Sequence, residues 1–205
     1  MAALPKLTYF NGGGRVVGVR IAMFKAFGAE GWVDDRVEFA DWAALKPTTP
    51  LGALPVLTLP SGERVTQSEC IARWAARSAG LYPADPADAL TADEVGAVAF
   101  EALAKTPGAG MDDAAKKAAR EEYAATGFLR RAMTLLEGKV KGPFVLGGEL
   151  SVADLHLYCL TEMIATGDFD YVAPEYLSEF AKLAAHRAAV KADPLVVSYY
   201  EKYKN

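Results

Sequence analysis

Residues 52–80, GALPVLTLPSGERVTQSECIARWAARSAG, constrain the fold more than any other stretch of this chain. A short apolar run follows Leu54-Pro55, a Pro-Ser-Gly turn reverses the chain, and a second short run leads into a helix at Gln67-Ser68. A hairpin running straight into a helix must lay that helix on one face of a sheet, so the strands before it have to build the rest of that sheet. Ser68 is a natural helix N-cap. Pro55, placed directly before Val56-Leu57, suits a tight turn with a cis bond that leaves the preceding backbone unpaired. Free backbone there can add an extended peptide as an extra strand. The helix N-terminus beside it can hold a carboxylate. Together these predict a site for a small anionic peptide.

The remaining elements follow from local pattern. Leu7–Phe10 reads as a strand closed by Asn11-Gly12-Gly13-Gly14. Arg15 to Phe27 carries Val17, Ile21 and Phe24 on one helical face, with Gly28 as the stop. Trp32-Val33 and Arg36–Phe39 suggest a second strand, and residues 40–51 a loop with short helical turns. Tyr82–Pro86 reads as a linker, after which every segment is helical. Helices are expected over 91–106, 112–138, 175–192 and 195–203. Another starts at Ser151, with Asp154 as capping-box partner and Leu150 and Leu155 as hydrophobic staple. The expected architecture is an α/β unit with a mixed four-stranded sheet, residues 1–83, followed by an all-helical unit, residues 84–205.

Bulk properties narrow the function. The 205 residues carry a net charge of −4 and no Lys/Arg-rich run, which disfavours a nucleic-acid partner. No apolar run is long enough to span a bilayer, and MAALPKLTYF lacks the pattern of a secretory leader. Two cysteines, Cys70 and Cys159, are too few for a disulfide framework, so a reducing, cytoplasmic setting is expected. With two histidines at no ligand spacing from them, no metal site is expected. The glycine turn does not complete G-x-G-x-x-G, because Val17 stands at the last glycine. It also holds no cysteine of the kind a glutaredoxin-like enzyme requires. Cys70 is expected to be a packing cysteine and His186 a surface residue.

Four stretches in order, KLTYFNGGGR, ADWAALK with GALPVL, TQSECIARWAA and SVADLHLY, together resemble the cytosolic glutathione transferases, and most closely their tyrosine-using, sigma-like members. The resemblance implies a thioredoxin-like N-terminal domain, an all-α C-terminal domain, a homodimer, and glutathione as co-substrate for a small hydrophobic electrophile. Carried over by position, Tyr9 activates the thiol with Arg15 nearby. Trp42 and Lys46 meet the glycine end of glutathione, Leu54 pairs its backbone beside a cis Pro55, and Gln67 with Ser68 holds the γ-glutamyl end. Phe10, Gly14 and His156 are implied for the electrophile pocket. An acidic residue of the partner subunit often completes the site in this family; Asp93 and Glu101 are the candidates here. Gly12–Gly14 replace larger residues usual before the arginine, which should widen the pocket or loosen the loop. The resemblance also admits glutathione-dependent isomerase or peroxidase activity, or a non-catalytic ligand-binding or crystallin-like relative.

Overall fold

The computed structural model describes residues 3–203. Strands β1 (Lys6–Phe10), β2 (Val33–Val37), β3 (Val56–Thr58) and β4 (Arg64–Thr66) form one mixed sheet in the order β2-β1-β3-β4. β1 runs parallel to β2 and antiparallel to β3, and β3 pairs antiparallel with β4. Helix α1 (Val17–Phe27) is the crossover from β1 to β2, and α3 (Ser68–Ser78) packs beside it. A short helix α2 (Trp42–Leu45), flanked by 3-10 turns, lies between β2 and β3. This is the expected thioredoxin-like half. The rest is helical: α4 (Pro86–Ala104), α5 (Asp113–Ala125), α6 (Phe128–Lys139), α7 (Val152–Thr166), α8 (Ala181–Ala192) and α9 (Pro194–Lys202).

The two halves share one continuous core, and α7 is its axle. Every residue from Val152 to Thr161 is buried, so this helix meets neighbours all round rather than on one stripe. It packs against α4, α1 and α8. Gly18 lets α1 approach it: a Cβ at position 18 would lie 2.7 Å from the Leu155 carbonyl oxygen. The start of α7 is fastened by Asp154, which is fully buried. Its Oδ2 accepts the Ser151 amide, the carboxylate half of the capping box, and also the Ser151 hydroxyl, each at 2.8 Å. Its Oδ1 accepts the Val145 amide at 2.6 Å and faces His186 Nε2 at 2.9 Å.

Four local expectations are corrected. His186 is not at the surface but 1% exposed, held by Asp154. The helix expected over 112–138 breaks at Thr126-Gly127, where a Cβ on Gly127 would come within 2.7 Å of Tyr123 Cα. The one expected over 175–192 is a 3-10 turn, Pro174–Glu179, that gives way at Phe180 to α8. Phe180 is itself buried, against Tyr176 and under Arg130. Finally, Pro86 belongs to a helix rather than a linker. Asp85 accepts the Ala87 and Asp88 amides, and Pro86 sits at the first helical position, where its missing N–H costs nothing.

Asp154→Ala should destabilise the fold by about 3–5 kcal/mol, because it strips a buried carboxylate from two amides, a hydroxyl and an imidazole. The midpoint of urea unfolding measures this; a shift worth under about 1 kcal/mol would remove Asp154 from the centre of the packing.

Candidate functional site

The sheet topology gathers the candidate residues. Because β3 is antiparallel to β1, its start lies beside the end of β1, and the end of β4 lies beside the start of β3. Val56 pairs with Thr66, so extending that register two residues places Leu54 across from Ser68. Tyr9 and Phe10, Leu54 and Pro55, and Gln67 and Ser68 therefore share one end of the sheet. The Leu54–Pro55 bond is cis, and among the described residues nothing pairs with the Leu54 backbone.

Gln67, and not Ser68, occupies the N-cap position of α3. Its backbone has φ 75° and ψ 115°, a left-handed conformation that costs a non-glycine residue about 1–3 kcal/mol and is usually retained where a site needs it. Ser68 becomes the first helical residue. It is 9% exposed, and its hydroxyl has no hydrogen-bond partner among the described residues. The amides of the first turn of this eleven-residue helix are open toward the same end. Cys70, in that turn, is exposed and not the packing cysteine expected.

Tyr9 sits at the other side of this end. Its hydroxyl oxygen accepts the Arg15 amide at 3.3 Å, which leaves its own proton free to be donated. Burial raises its pKa above the usual phenol value, while the Arg15 amide and guanidinium partly oppose that shift. The phenol is thus neutral at physiological pH. Gly14 makes this placement possible: its φ is +44°, and a Cβ there would lie 2.8 Å from the Tyr9 hydroxyl. Arg15 is half-buried, and among the described residues its guanidinium has no hydrogen-bond or ion-pair partner. Tyr9 and Arg15 line a cleft of about 250 Å³ with Leu103, Thr106, Arg120, Met163 and the 168–170 segment. A second cleft of about 250 Å³ continues over Gly13 and Gly14 toward Tyr199 and Tyr200.

The α2 region forms a third side. Trp42 is half-buried and meets the Phe10 ring edge-on at 5.5 Å. Lys46 is exposed, its stem passing under Gly52. Arg64 holds the turn after it through the Thr48 carbonyl at 2.8 Å.

Two expectations for the electrophile pocket change. The Phe10 ring meets the Tyr9 ring edge-on at 5.5 Å, but it stacks on Phe39 at 4.6 Å and lines neither cleft. His156 is 4% exposed, packed against Phe100 with Gly96 giving it room, in a gap beneath Arg15 too narrow for water. Asp93, a candidate for the partner-facing acid, binds Arg73 and Tyr82 of its own chain, each at 3.0 Å.

Arg20 and Asp34 were not singled out from the sequence. Arg20 is 1% exposed and donates to Asp34 at 2.9 Å, to the Phe10 carbonyl at 3.2 Å and to the Gly12 carbonyl. It fixes the glycine turn from inside. The signal was present: Arg20 falls three residues after Val17, on the apolar face of its helix, where an arginine needs a partner. Arg120 was also missed. It bonds the Pro107 carbonyl at 2.9 Å and Asp170 at 3.0 Å, closing the far wall of the first cleft.

An unpaired backbone edge, an open helix N-terminus and a neutral tyrosine over a cleft thus lie together on a thioredoxin-like sheet with a helical partner. Comparisons with known proteins identify the family. Residues 103–203 match the family model described as Glutathione S-transferase, C-terminal domain. The chain is 31% identical to Glutathione S-transferase 3 of Caenorhabditis elegans over 185 residues, 85% of this chain and 87% of that one. It is 29% identical to S-crystallin SL11 of Nototodarus sloanii over 204 residues, 97% and 96% of the two chains. The solved structure of prostaglandin synthase D of Nilaparvata lugens superposes with a TM-score of 0.81 at 25% identity, covering 97% of this chain and 98% of that one. The chain belongs to the glutathione S-transferase family.

Burial lowers the pKa of His156 to about 4, from 6.5; Asp93 opposes the shift and Arg73 adds to it. A depressed folded pKa gives stability that is complete above pH 6.5 and lost as pH falls toward 4. His156→Gln should therefore remove up to about 3 kcal/mol of the acid destabilisation between pH 6.5 and 4. Chemical denaturation at both pH values checks it; an identical acid loss in the variant would contradict the burial argument.

Proposed function

We propose that this protein is a glutathione transferase whose Tyr9 stabilises the thiolate of bound glutathione for attack on a hydrophobic electrophile. The observation that carries the reading is the set of unpartnered polar groups at one end of the sheet. The Tyr9 hydroxyl proton, the Arg15 guanidinium, the Leu54 backbone and the Ser68 hydroxyl at the α3 N-terminus have no partner among the described residues. Glutathione supplies a matching set: a thiol, a peptide backbone and a γ-glutamyl carboxylate. Leu54 and the cis Pro55 receive the backbone, Gln67 and Ser68 the γ-glutamyl end, and Trp42 and Lys46 the glycine carboxylate. Residues 1–83 act as the glutathione-binding domain and residues 84–205 complete the electrophile site. A sigma-like homodimer in the cytoplasm fits the resemblance, and no helix among the described residues is long and apolar enough to cross a membrane.

The magnitudes are sufficient. A thiol of pKa about 8.5 is roughly 3% ionised at pH 7; lowering it to about 6.5 makes it roughly 75% thiolate, for about 2.7 kcal/mol. A hydrogen bond to a charged group contributes about 1.5–3 kcal/mol. One phenol donor, with a guanidinium nearby, covers that range. Tyr9 stays protonated above the ordinary phenol range, so it remains a donor wherever the thiolate exists. Binding orients the sulfur toward the cleft, and positioning does the rest.

Tyr9→Phe should bind glutathione within about threefold of the wild type. The acid limb of its kcat/KM profile, read with a generic aryl halide, should move up by about 1–2 pH units. An unmoved profile would take Tyr9 out of the mechanism. Glutathione binding by the wild type without turnover would instead place the protein with the non-catalytic members of the family.

A further inference from the structure

Asn11-Gly12 opens the glycine turn, and both residues are exposed. An asparagine followed by glycine carries its own nucleophile, because the glycine backbone nitrogen can attack the preceding side-chain amide. A glycine has no Cβ to hinder that approach. Here the space is open as well: a Cβ on Gly12 would meet nothing within 4 Å, and its backbone is not left-handed.

The surroundings of the Asn11 amide favour the same step. Arg36 donates to Oδ1 at 3.2 Å, so a guanidinium faces the oxygen that gains negative charge when a tetrahedral intermediate forms. Glu38 accepts from Nδ2 at 2.8 Å. The Asn11 amide is anchored to the Val37 carbonyl at 3.0 Å, which ties the residue to the end of the sheet. The Gly12 N–H donates to the Phe10 carbonyl at 2.9 Å, and its proton must leave before the nitrogen attacks. The step is therefore promoted by base.

We propose that Asn11 is a self-modification site, where deamidation through a cyclic imide resets the glycine turn beneath Tyr9. The Gly12 nitrogen bonds to Asn11 Cγ as its proton passes to hydroxide. The Cγ–Nδ2 bond breaks, and that nitrogen leaves as ammonia after taking a proton from water. Water then opens the imide. Cleavage between Cγ and the Gly12 nitrogen gives aspartate; cleavage at the Asn11 backbone carbonyl gives isoaspartate, with the chain now running through Cγ. No oxidant or cofactor is needed. Aspartate sets a second carboxylate against Glu38. Isoaspartate adds a methylene to the chain between the Phe10 and Gly12 carbonyls, the two that Arg20 holds at once. The turn must then shift, and with it the Gly14 backbone and the Arg15 amide that meet the Tyr9 hydroxyl. The Leu54 edge and the start of α3 belong to other elements and stay in place. The turn works as a timer, costing each molecule its Tyr9 alignment with age. That consequence for activity rests on the transferase reading; the chemistry at Asn11 does not.

The full chain is aged in mildly alkaline buffer beside Gly12→Ala, whose methyl fits the open backbone and slows ring closure. Peptide mass spectrometry should find Asn11 converted to the acid, with isoaspartate present, several-fold faster than in Gly12→Ala. In the isoaspartyl fraction, deuterium exchange at the Arg15 amide should rise several-fold. Its kcat/KM with an aryl halide should fall by at least about tenfold, the loss of one hydrogen bond to a charged group, with glutathione affinity within about threefold. An Asn11 that keeps its amide, or converts no faster than in Gly12→Ala, overturns the proposal. So does an isoaspartyl form with unchanged exchange at Arg15. Fresh protein that turns over no aryl halide faults the transferase reading alone, because mass spectrometry and exchange still decide the fate of Asn11.

Discussion

The ion pair between Arg20 and Asp34 anchors the residues around which the site is built. A turn containing three successive glycines has no side chains of its own to hold it, and Gly14 must adopt a left-handed backbone for Tyr9 to reach its place. Order has to be imposed from elsewhere, and Arg20 imposes it by donating to carbonyls at Phe10 and Gly12. An arginine cannot shed its charge on burial, so Asp34 must accompany it inside. Asp34 also accepts Arg36, whose guanidinium reaches the Asn11 side chain, and Asn11 in turn donates to Glu38. The glycine turn is thereby tied to β2 on its outer side and to α1 on its inner side. Glycine freedom and fixed position, which normally oppose each other, coexist here.

The helical half depends on an analogous buried charge. Asp154 fixes the first turn of α7, and α7 positions Met163 and Cys159 under the clefts as well as the packing of α1 through Gly18. Burial pushes the Cys159 thiol up to about 11, against 9 for an ordinary thiol, which disfavours a thiolate there. The two buried carboxylates serve different ends. Asp34 keeps a loop where chemistry needs it, and Asp154 keeps a helix where the loop's neighbours need it.

Much of this was legible in the sequence wherever short-range chemistry decides the outcome. The hairpin and helix at 52–80, the helix stop at Gly28 and the Ser151–Asp154 capping box all follow from residues within four positions of one another. What stayed hidden required a partner distant in the chain. Asp34-Asp35 looks like a break in a strand until Arg20 and Thr8 are seen to satisfy those carboxylates. His186 looks like a surface residue until Asp154, 32 positions earlier, meets it. Phe10 and His156 were assigned to the cleft by resemblance of position, yet their orientation is set by Phe39 and Trp42 in one case and by Gly96 and Phe100 in the other. A position carries over between relatives more readily than the direction of a side chain.

That distinction bears on how one family can contain members named as transferases, a crystallin and a prostaglandin synthase. On the proposed reading, several of the groups that meet glutathione are backbone or are set by it: the Arg15 amide that positions Tyr9, the free edge at Leu54, the first turn of α3. Backbone geometry survives wide sequence change as long as the fold does. Apart from Gly14, the walls of the two clefts are mostly side chains drawn from α1, α4, α5, α7 and α9, and the backbone does not restrict them as it does Gly14. Arg15 and Gly13 sit two residues apart on the boundary between these regimes. One is a guanidinium without a partner among the described residues, and the other is an open position whose filling would leave the Tyr9 side of the site intact. Divergence of substrate without loss of glutathione is then the expected course for this architecture, because the two demands fall on separate sets of atoms.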